Sequence, residues 1–130
     1  MTNYELIIKE HHLDTFGHVN NATYLQLFEE ARWQIITDRG YGLAEVMKNR
    51  QGPIVLEIQI KFLKELKLRE KIQINFETLD SKGKVGQFRQ QMLNSKNEVA
   101  CEAVFTAGFF DLDTRKLIEP TAAWKHAVGI

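Results

Sequence analysis

Polar side chains that could carry out chemistry are concentrated in one short stretch of the chain, residues 11–21. It contains three of the four histidines, one aspartate and two asparagines, namely His11, His12, His18, Asp14, Asn20 and Asn21. A carboxylate can act as a nucleophile or as a base toward water, and an imidazole can transfer or orient a proton near neutral pH. Acyl transfer to water fits this set of groups.

The same stretch leads into a predicted helix, which adds a second chemical resource. Apolar residues recur at three- and four-residue spacing from Tyr24 to Ile36, a pattern typical of a long amphipathic helix that Asn20 or Asn21 would cap and Gly40 would end. Backbone N–H groups at a helix start lack intrahelical partners and lie at the positive end of the helix dipole. They can therefore bind a carbonyl oxygen as it becomes anionic, with Asp14 and His18 beside the electrophilic carbon.

Structural interpretations of these residues stand beside the catalytic one. Asp14 can cap the loop, His18 can be a structural histidine, and the Asn20–Asn21 pair suits a helix cap without catalytic duty. Zinc binding is not expected, because the side chains of neighbouring His11 and His12 would diverge if the strand continued. We expect no metal and no cofactor.

The remaining pattern predicts an α+β fold in which an antiparallel sheet wraps around one long central helix. Strands are predicted at residues 4–10, 54–62, 72–76, 85–93 and 98–110, joined largely by tight turns. The alternation of Ile54, Leu56 and Ile58 with polar residues predicts one buried face for the second strand. Short helices are predicted at residues 43–49 and from Pro120, and Cys101 is predicted to lie inside the last long strand.

Composition limits the class of protein. A chain of 130 residues with 44% hydrophobic content fits one domain, 1–130. Seventeen basic residues balance seventeen acidic ones, which argues against a nucleic-acid partner. One cysteine and the lack of a signal-like amino terminus favour a cytoplasmic location, and no apolar run is long enough for membrane insertion.

The motifs of several other enzyme classes are missing from the sequence, and one cluster of basic residues suggests a site for phosphate groups. The sequence has no G-x-S-x-G elbow, phosphate-binding glycine loop, dinucleotide fingerprint or C-x-x-C pair. Lysines and an arginine gather in and after the second strand, where they would meet the phosphates of coenzyme A or form a solvated edge, namely Lys61, Lys64, Lys67, Arg69 and Lys71.

The string D-T-F-G-H-V-N-N-A-T-Y-L, followed by F-E-E-A-R, resembles hotdog acyl-CoA thioesterases of the hydroxybenzoyl-CoA thioesterase and YbgC type. The resemblance extends over nearly the whole chain and implies a homodimer or homotetramer, with the active site between subunits beside the start of the central helix. Many members carry D-x-D-x-x-G, in which the first aspartate is the nucleophile or base; that position is His12 here, and Asp14 matches the second aspartate. Plant acyl-carrier-protein thioesterases carry D-x-N-x-H-V-N-N, in which Asp14 and His18 match functional positions and Phe16 replaces the asparagine.

These observations predict hydrolysis of acyl-CoA or acyl-carrier-protein thioesters. Asp14 would activate water or attack directly, His18 would orient the water or thioester, and helix-start N–H groups would form the oxyanion hole. The other predicted site residues are secondary catalytic candidates, His12 and Asn20, and substrate-binding candidates, Val19, Asn21, Tyr24 and Lys61. Two alternatives remain open, an enoyl thioester hydratase on the same fold and a non-catalytic acyl-CoA binding module.

Overall fold

One antiparallel sheet of six strands forms the centre of the computed structural model, which describes residues 2–130. The strands are β1 (Thr2–Ile7), β2 (Gln51–Phe62), β3 (Lys71–Asp80), β4 (Val85–Leu93), β5 (Val99–Asp111) and β6 (Lys116–Ile118). Their order in the sheet is β1-β3-β4-β5-β2, and β6 pairs with the end of β5 beyond the last β4 partner. The predicted antiparallel sheet is confirmed.

Helix α1 (Asn21–Asp38) lies against the sheet and carries the largest share of the helical core. Its buried residues recur at three- and four-residue spacing, so a single stripe of the helix faces β1 and β3. Phe28 on this stripe is fully buried and meets the ring of Phe105 edge-on, with 6.1 Å between ring centroids. The helix ends where Gly40 adopts φ 98°, a left-handed conformation that glycine takes without strain.

The structure has three α-helices in residues 2–130, and the two short ones lie where short helices were predicted, at residues 43–49 and after Pro120. They are α2 (Leu43–Asn49) and α3 (Ala122–Ala127). Sequence reasoning missed β6, which is only three residues long, and it extended β1 too far. The first strand ends at Ile7 because Glu10–His12 form a turn of 3₁₀ helix.

Strand β2 is the element for which the predicted burial was wrong. Its apolar residues do not form a buried face, since Leu56 is 50% exposed and Ile54 and Ile58 are also exposed. The physical reason is position, because β2 is an edge strand that pairs only with β5, while α1 packs on β1 and β3. The chain therefore presents a twelve-residue edge strand on which five large apolar side chains are exposed, namely Ile54, Val55, Leu56, Ile58 and Phe62.

Candidate active site

Residues 14–18 form a tight loop at the start of α1. A bridge between Leu13 and Val19 closes it, and within it the Asp14 N–H donates to the His18 carbonyl oxygen at 2.7 Å. Gly17 adopts φ 79°, so the chain turns back at a residue without a Cβ. The loop thereby brings the side chains of Asp14 and His18 to the same edge of the helix start.

The two oxygens of the Asp14 carboxylate differ in their hydrogen bonds. Oδ1 accepts the backbone N–H groups of Phe16 at 2.9 Å and His18 at 3.2 Å, as expected of a loop-capping aspartate. Oδ2 has no hydrogen-bond donor in the described part of the chain. One carboxylate can therefore fix the loop with one oxygen and offer the other to a water molecule or an acyl carbon.

His18 has an acidic partner that sequence reasoning missed. Its Nε2 lies 2.5 Å from Oε1 of Glu65, a residue that follows β2. The Nε2–H group donates to the carboxylate, so Nδ1 is the ring nitrogen left to meet other groups. Glu65 lies within a run of alternating acidic and basic residues, so no sequence signal distinguishes it from its neighbours.

The start of α1 supplies two free backbone donors. The Asn20 side chain caps the helix by accepting the Ala22 N–H at 2.9 Å, and the Asn20 N–H donates to the His12 carbonyl oxygen at 3.1 Å. The N–H groups of Val19 and Asn21 have no acceptor among residues 2–130. These two groups are the available oxyanion donors at this helix start.

A surface cleft of about 630 Å³ collects most of the predicted site residues, and we call it the loop cleft. The predicted members are Asp14, His18, Val19, Asn20, Asn21 and Tyr24, and the structure adds Phe62, Leu63, Lys64 and Glu65 from the end of β2 and the segment after it. Tyr24 and Phe62 meet edge-on, with 5.0 Å between ring centroids. Burial raises the pKa of Tyr24 to about 12, so its hydroxyl stays protonated at neutral pH.

Two predicted site residues lie outside the loop cleft. His12 lines a separate depression with Tyr4 and Glu30, and its Nδ1 accepts the Lys9 N–H at 2.9 Å. Burial is the main cause that lowers the pKa of His12, which agrees with a neutral accepting ring. Lys61 lies on exposed β2 opposite Glu102, whereas Lys64 lines the cleft and pairs with Glu98.

Other reactive groups have no arrangement that supports chemistry. Cys101 is fully buried, and burial raises the pKa of its thiol to about 12, so a thiolate is not formed near neutral pH. Within residues 2–130, no three His, Cys, Asp or Glu side chains are grouped as a metal site would require.

No helix in the same range combines the length and apolar character needed to cross a membrane.

Comparisons with known proteins agree on one family and one fold. The model of the thioesterase-like superfamily matches residues 9–128. The long-chain acyl-CoA thioesterase FadM of Escherichia coli K12 is 28% identical over 115 residues, covering 88% of this chain and 86% of that protein. The chloroplastic acyl-acyl carrier protein thioesterase ATL3 of Arabidopsis thaliana is 30% identical over 70 residues, covering 54% of this chain and 37% of that protein.

A solved structure extends the likeness to the backbone. The protein SAV2348 from Staphylococcus aureus, in complex with CoA, superposes with a TM-score of 0.90 at 15% identity. The match covers 97% of this chain and 80% of that one. At this level of identity the likeness establishes a shared fold.

Proposed function

Because the chain belongs to the thioesterase-like superfamily, we propose that it hydrolyses acyl-CoA thioesters to the free acid and CoA thiol at the loop cleft. The observation that carries this proposal is the juxtaposition, at one helix start, of the free Oδ2 of Asp14, the His18–Glu65 pair and the free N–H groups of Val19 and Asn21. Family membership confirms the thioesterase predicted from the sequence, and the residue roles are our proposal.

The proposed reaction begins at Asp14. Its carboxylate takes a proton from water as the water oxygen bonds to the thioester carbon, and the carbonyl oxygen becomes an oxyanion bound by the N–H groups of Val19 and Asn21. Collapse breaks the carbon–sulfur bond, and the leaving thiolate takes up the proton that Asp14 received from water, which restores the Asp14 carboxylate. In the alternative course Asp14 attacks the carbon itself, expels the thiolate and forms an anhydride that water then hydrolyses.

His18 is proposed to orient the water or the thioester. Glu65 holds Nε2, which leaves Nδ1 to contact the water or the thioester and fixes the ring at the cleft. Both side chains are more than half exposed in the single chain, so the pair is open to an incoming substrate. Asn20 is proposed to act through its helix cap, which keeps the donors of Val19 and Asn21 in place.

We further propose that residues 1–130 are one domain that assembles as a homo-oligomer through β2. An edge strand has unpaired N–H and C=O groups along one side, and β2 also exposes large apolar side chains, among them Leu56 and Ile58. A second β2 is the complementary occupant, because antiparallel pairing of two copies satisfies both edges and covers both apolar surfaces. Sedimentation should give a dimer or tetramer, and Ile58→Lys on β2 should shift it toward the monomer.

CoA is the proposed carrier. FadM, named for acyl-CoA, aligns with 88% of this chain, whereas ATL3, named for acyl carrier protein, aligns with 54%. Lys64 lies at the cleft and pairs with the partly exposed Glu98, and we propose that its ammonium group exchanges this carboxylate for a phosphate of CoA.

The test measures free thiol released from a panel of acyl-CoA substrates. Asp14→Asn should lower kcat by about 10²- to 10⁴-fold, the usual contribution of a general base. Asp38→Asn, at the opposite end of α1, is the matched control and should keep wild-type turnover. Unchanged turnover in Asp14→Asn would overturn the assignment, loss of enoyl absorbance without thiol would identify a hydratase, and binding without turnover would identify a binding module.

A further inference from the structure

The hydroxyl of Tyr24 is a polar group of the loop cleft to which the proposed reaction gives no role. The chain has three tyrosines, and the other two hydroxyls have protein acceptors. Tyr4 donates to Oε2 of Glu30 at 2.5 Å, and Tyr41 donates to the carbonyl oxygen of Gln51 at 3.1 Å. The Tyr24 hydroxyl has no hydrogen-bond partner in the described part of the chain. Its donor is therefore available to a bound molecule.

Tyr24 is a buried residue whose hydroxyl is open to the loop cleft. The residue is 6% exposed and belongs to the main core cluster. Within residues 2–130, every side-chain nitrogen or oxygen that is sealed from solvent has a hydrogen-bond partner. The Tyr24 oxygen has no partner, so it is not sealed, and the cavity that the residue lines is the loop cleft. A donor fixed in a largely dry wall is oriented before a ligand arrives.

The position of Tyr24 on α1 directs its side chain toward the free backbone donors. Tyr24 lies three residues after Asn21, so the helix rise between them is about 4.5 Å and the two residues are neighbours on one face. Helical side chains tilt back toward the helix N-terminus, and the Tyr24 ring therefore covers the first turn. Phe62 packs edge-on against this ring and limits its movement. The hydroxyl thus shares the loop cleft with the N–H groups of Val19 and Asn21.

The electrostatic surroundings keep the Tyr24 hydroxyl protonated. Burial is the largest cause that raises its pKa to about 12, and Cys101 and the Glu65 carboxylate add to the effect. Glu65 is also the partner of His18, so the hydroxyl lies within electrostatic range of the proposed reacting groups. A neutral hydroxyl with a free proton is suited to bind an oxygen that becomes negative.

From these contacts we propose that Tyr24 is a further catalytic residue, whose hydroxyl donates a third hydrogen bond to the oxyanion that forms on the thioester carbonyl. The inference rests on the proposed thioester hydrolysis and adds a side-chain donor to the N–H groups of Val19 and Asn21. The proton stays on Tyr24 while the tetrahedral intermediate forms and collapses, so no bond of the tyrosine forms or breaks. A hydrogen bond that strengthens as charge develops on the oxygen raises kcat more than it tightens substrate binding.

Tyr24→Phe isolates this donor, because it removes the hydroxyl and keeps the ring. It should lower kcat for acyl-CoA hydrolysis about 10²-fold, the usual loss for one oxyanion donor, and leave KM within about twofold. The thermal midpoint should not change, because the hydroxyl has no protein partner to lose. Tyr4→Phe makes the same change outside the loop cleft and should keep the wild-type kcat. Unchanged kcat in Tyr24→Phe, or an equal fall in Tyr4→Phe, would overturn the proposal.

A dithioester substrate, in which sulfur replaces the carbonyl oxygen, tests which atom the hydroxyl contacts. Sulfur accepts hydrogen bonds weakly, so Tyr24→Phe should lose about tenfold less activity on the dithioester than on the thioester. Loss of the dithioester absorbance measures this reaction. Equal losses on the two substrates would overturn the proposal, because a role in packing or in holding the CoA arm does not depend on this atom.

A second variant keeps the proposal testable if Tyr24→Phe does not fold. Fluorotyrosine in place of Tyr24, with the fluorine beside the hydroxyl, keeps the donor and lowers its pKa. Because ionisation removes the donor, kcat should fall at a lower alkaline pH than in the wild type, and identical pH profiles would overturn the proposal. A wild type that releases no thiol would overturn the proposed function together with this inference. An active wild type with an unaffected Tyr24→Phe would overturn this inference alone.

Discussion

The loop cleft and a second cavity of about 340 Å³ lie at different points along α1 and are built in opposite ways. We call the second one the aromatic cavity, because Trp33, Phe109 and Trp124 line it together with the buried Arg32. The loop cleft takes most of its polar groups from consecutive residues, 14–21, and its His18–Glu65 pair is exposed. The aromatic cavity takes its lining from α1, four strands and the C-terminal segment, and its charge is buried. The difference teaches that local loop geometry groups Asp14 with His18 while Glu65 comes from a distant segment, whereas the ring-lined cavity depends on four strands throughout.

The largest expected difference between the two regions is in stability. Phe109 is fully buried in the cavity wall and packs with Trp124, so Phe109→Ala should lower the free energy of unfolding by about 3–5 kcal/mol. His18→Ala, on the exposed loop, should change it by less than about 0.5 kcal/mol while turnover falls. Urea unfolding at fixed protein concentration measures the free energy of unfolding of both variants. Equal losses of stability in the two variants would contradict the expected difference between the cavity and the loop.

A smaller effect is expected at the Glu65 side of the loop cleft. Glu65→Gln keeps the shape of the side chain but removes the charge that fixes Nε2 of His18, so kcat/KM should fall about tenfold, or 1.4 kcal/mol of transition-state stabilisation. Glu119→Gln is a matched control at an exposed position outside both sites. If Glu65→Gln matched the control, the pair would be a surface contact without a role in positioning.

The helix cap should contribute about 1 kcal/mol. Asn20→Ala removes the acceptor of the Ala22 N–H and should lower the free energy of unfolding by about that amount, whereas Asn20→Ser restores a capping oxygen and should recover it. Thermal unfolding measures the stability and thiol release the activity. If Asn20→Ser recovers both stability and activity, Asn20 acts as a helix cap. If it recovers stability alone, the Asn20 amide itself takes part in the reaction.

These regions also differ in how far the sequence could predict them. Local signals were sufficient for the strand from Val85 to Leu93, for the cap at Asn20 and for the grouping of Asp14 with His18, because each depends on residues close in the chain. The burial of β2 was predicted wrongly, because alternation shows that a face is apolar and does not show which element covers it.

Long-range pairings explain the rest of what was missed. Glu65 meets His18 only because β2 ends beside the start of α1, and Arg32 gains its surroundings from Gln90, Phe88 and Phe105 on two distant strands. Neither residue type nor spacing carries this information. His12 became a candidate because it occupies the first-aspartate position of the resembled motif, and that position alone did not show that it lines a different depression from Asp14.

His12 is expected to give the smallest effect, and one that depends on pH. Since burial lowers the pKa of His12 below its ordinary value near 6.5, the folded state binds the proton less readily than the unfolded state does. The stabilisation that follows is complete above the pKa that His12 has in the unfolded state. It is lost as the pH falls through the lower pKa that His12 has in the folded state. The free energy of unfolding of the wild type should therefore decrease between about pH 7 and about pH 5.

His12→Asn should flatten this decrease, because an amide oxygen can still accept the Lys9 N–H and does not titrate. His126→Asn, at an exposed position on α3, is the control and should retain the wild-type slope. Identical slopes in all three proteins would show that His12 does not contribute to the pH dependence. Protonation of the His12 ring removes the Nδ1 acceptor of the Lys9 N–H, and the His12 carbonyl oxygen accepts the Asn20 N–H, so we expect the loss of the first bond to affect the helix start through the backbone. Turnover that falls with pH in the wild type and less in His12→Asn would then link His12 to the loop cleft without placing its ring at the reacting atoms.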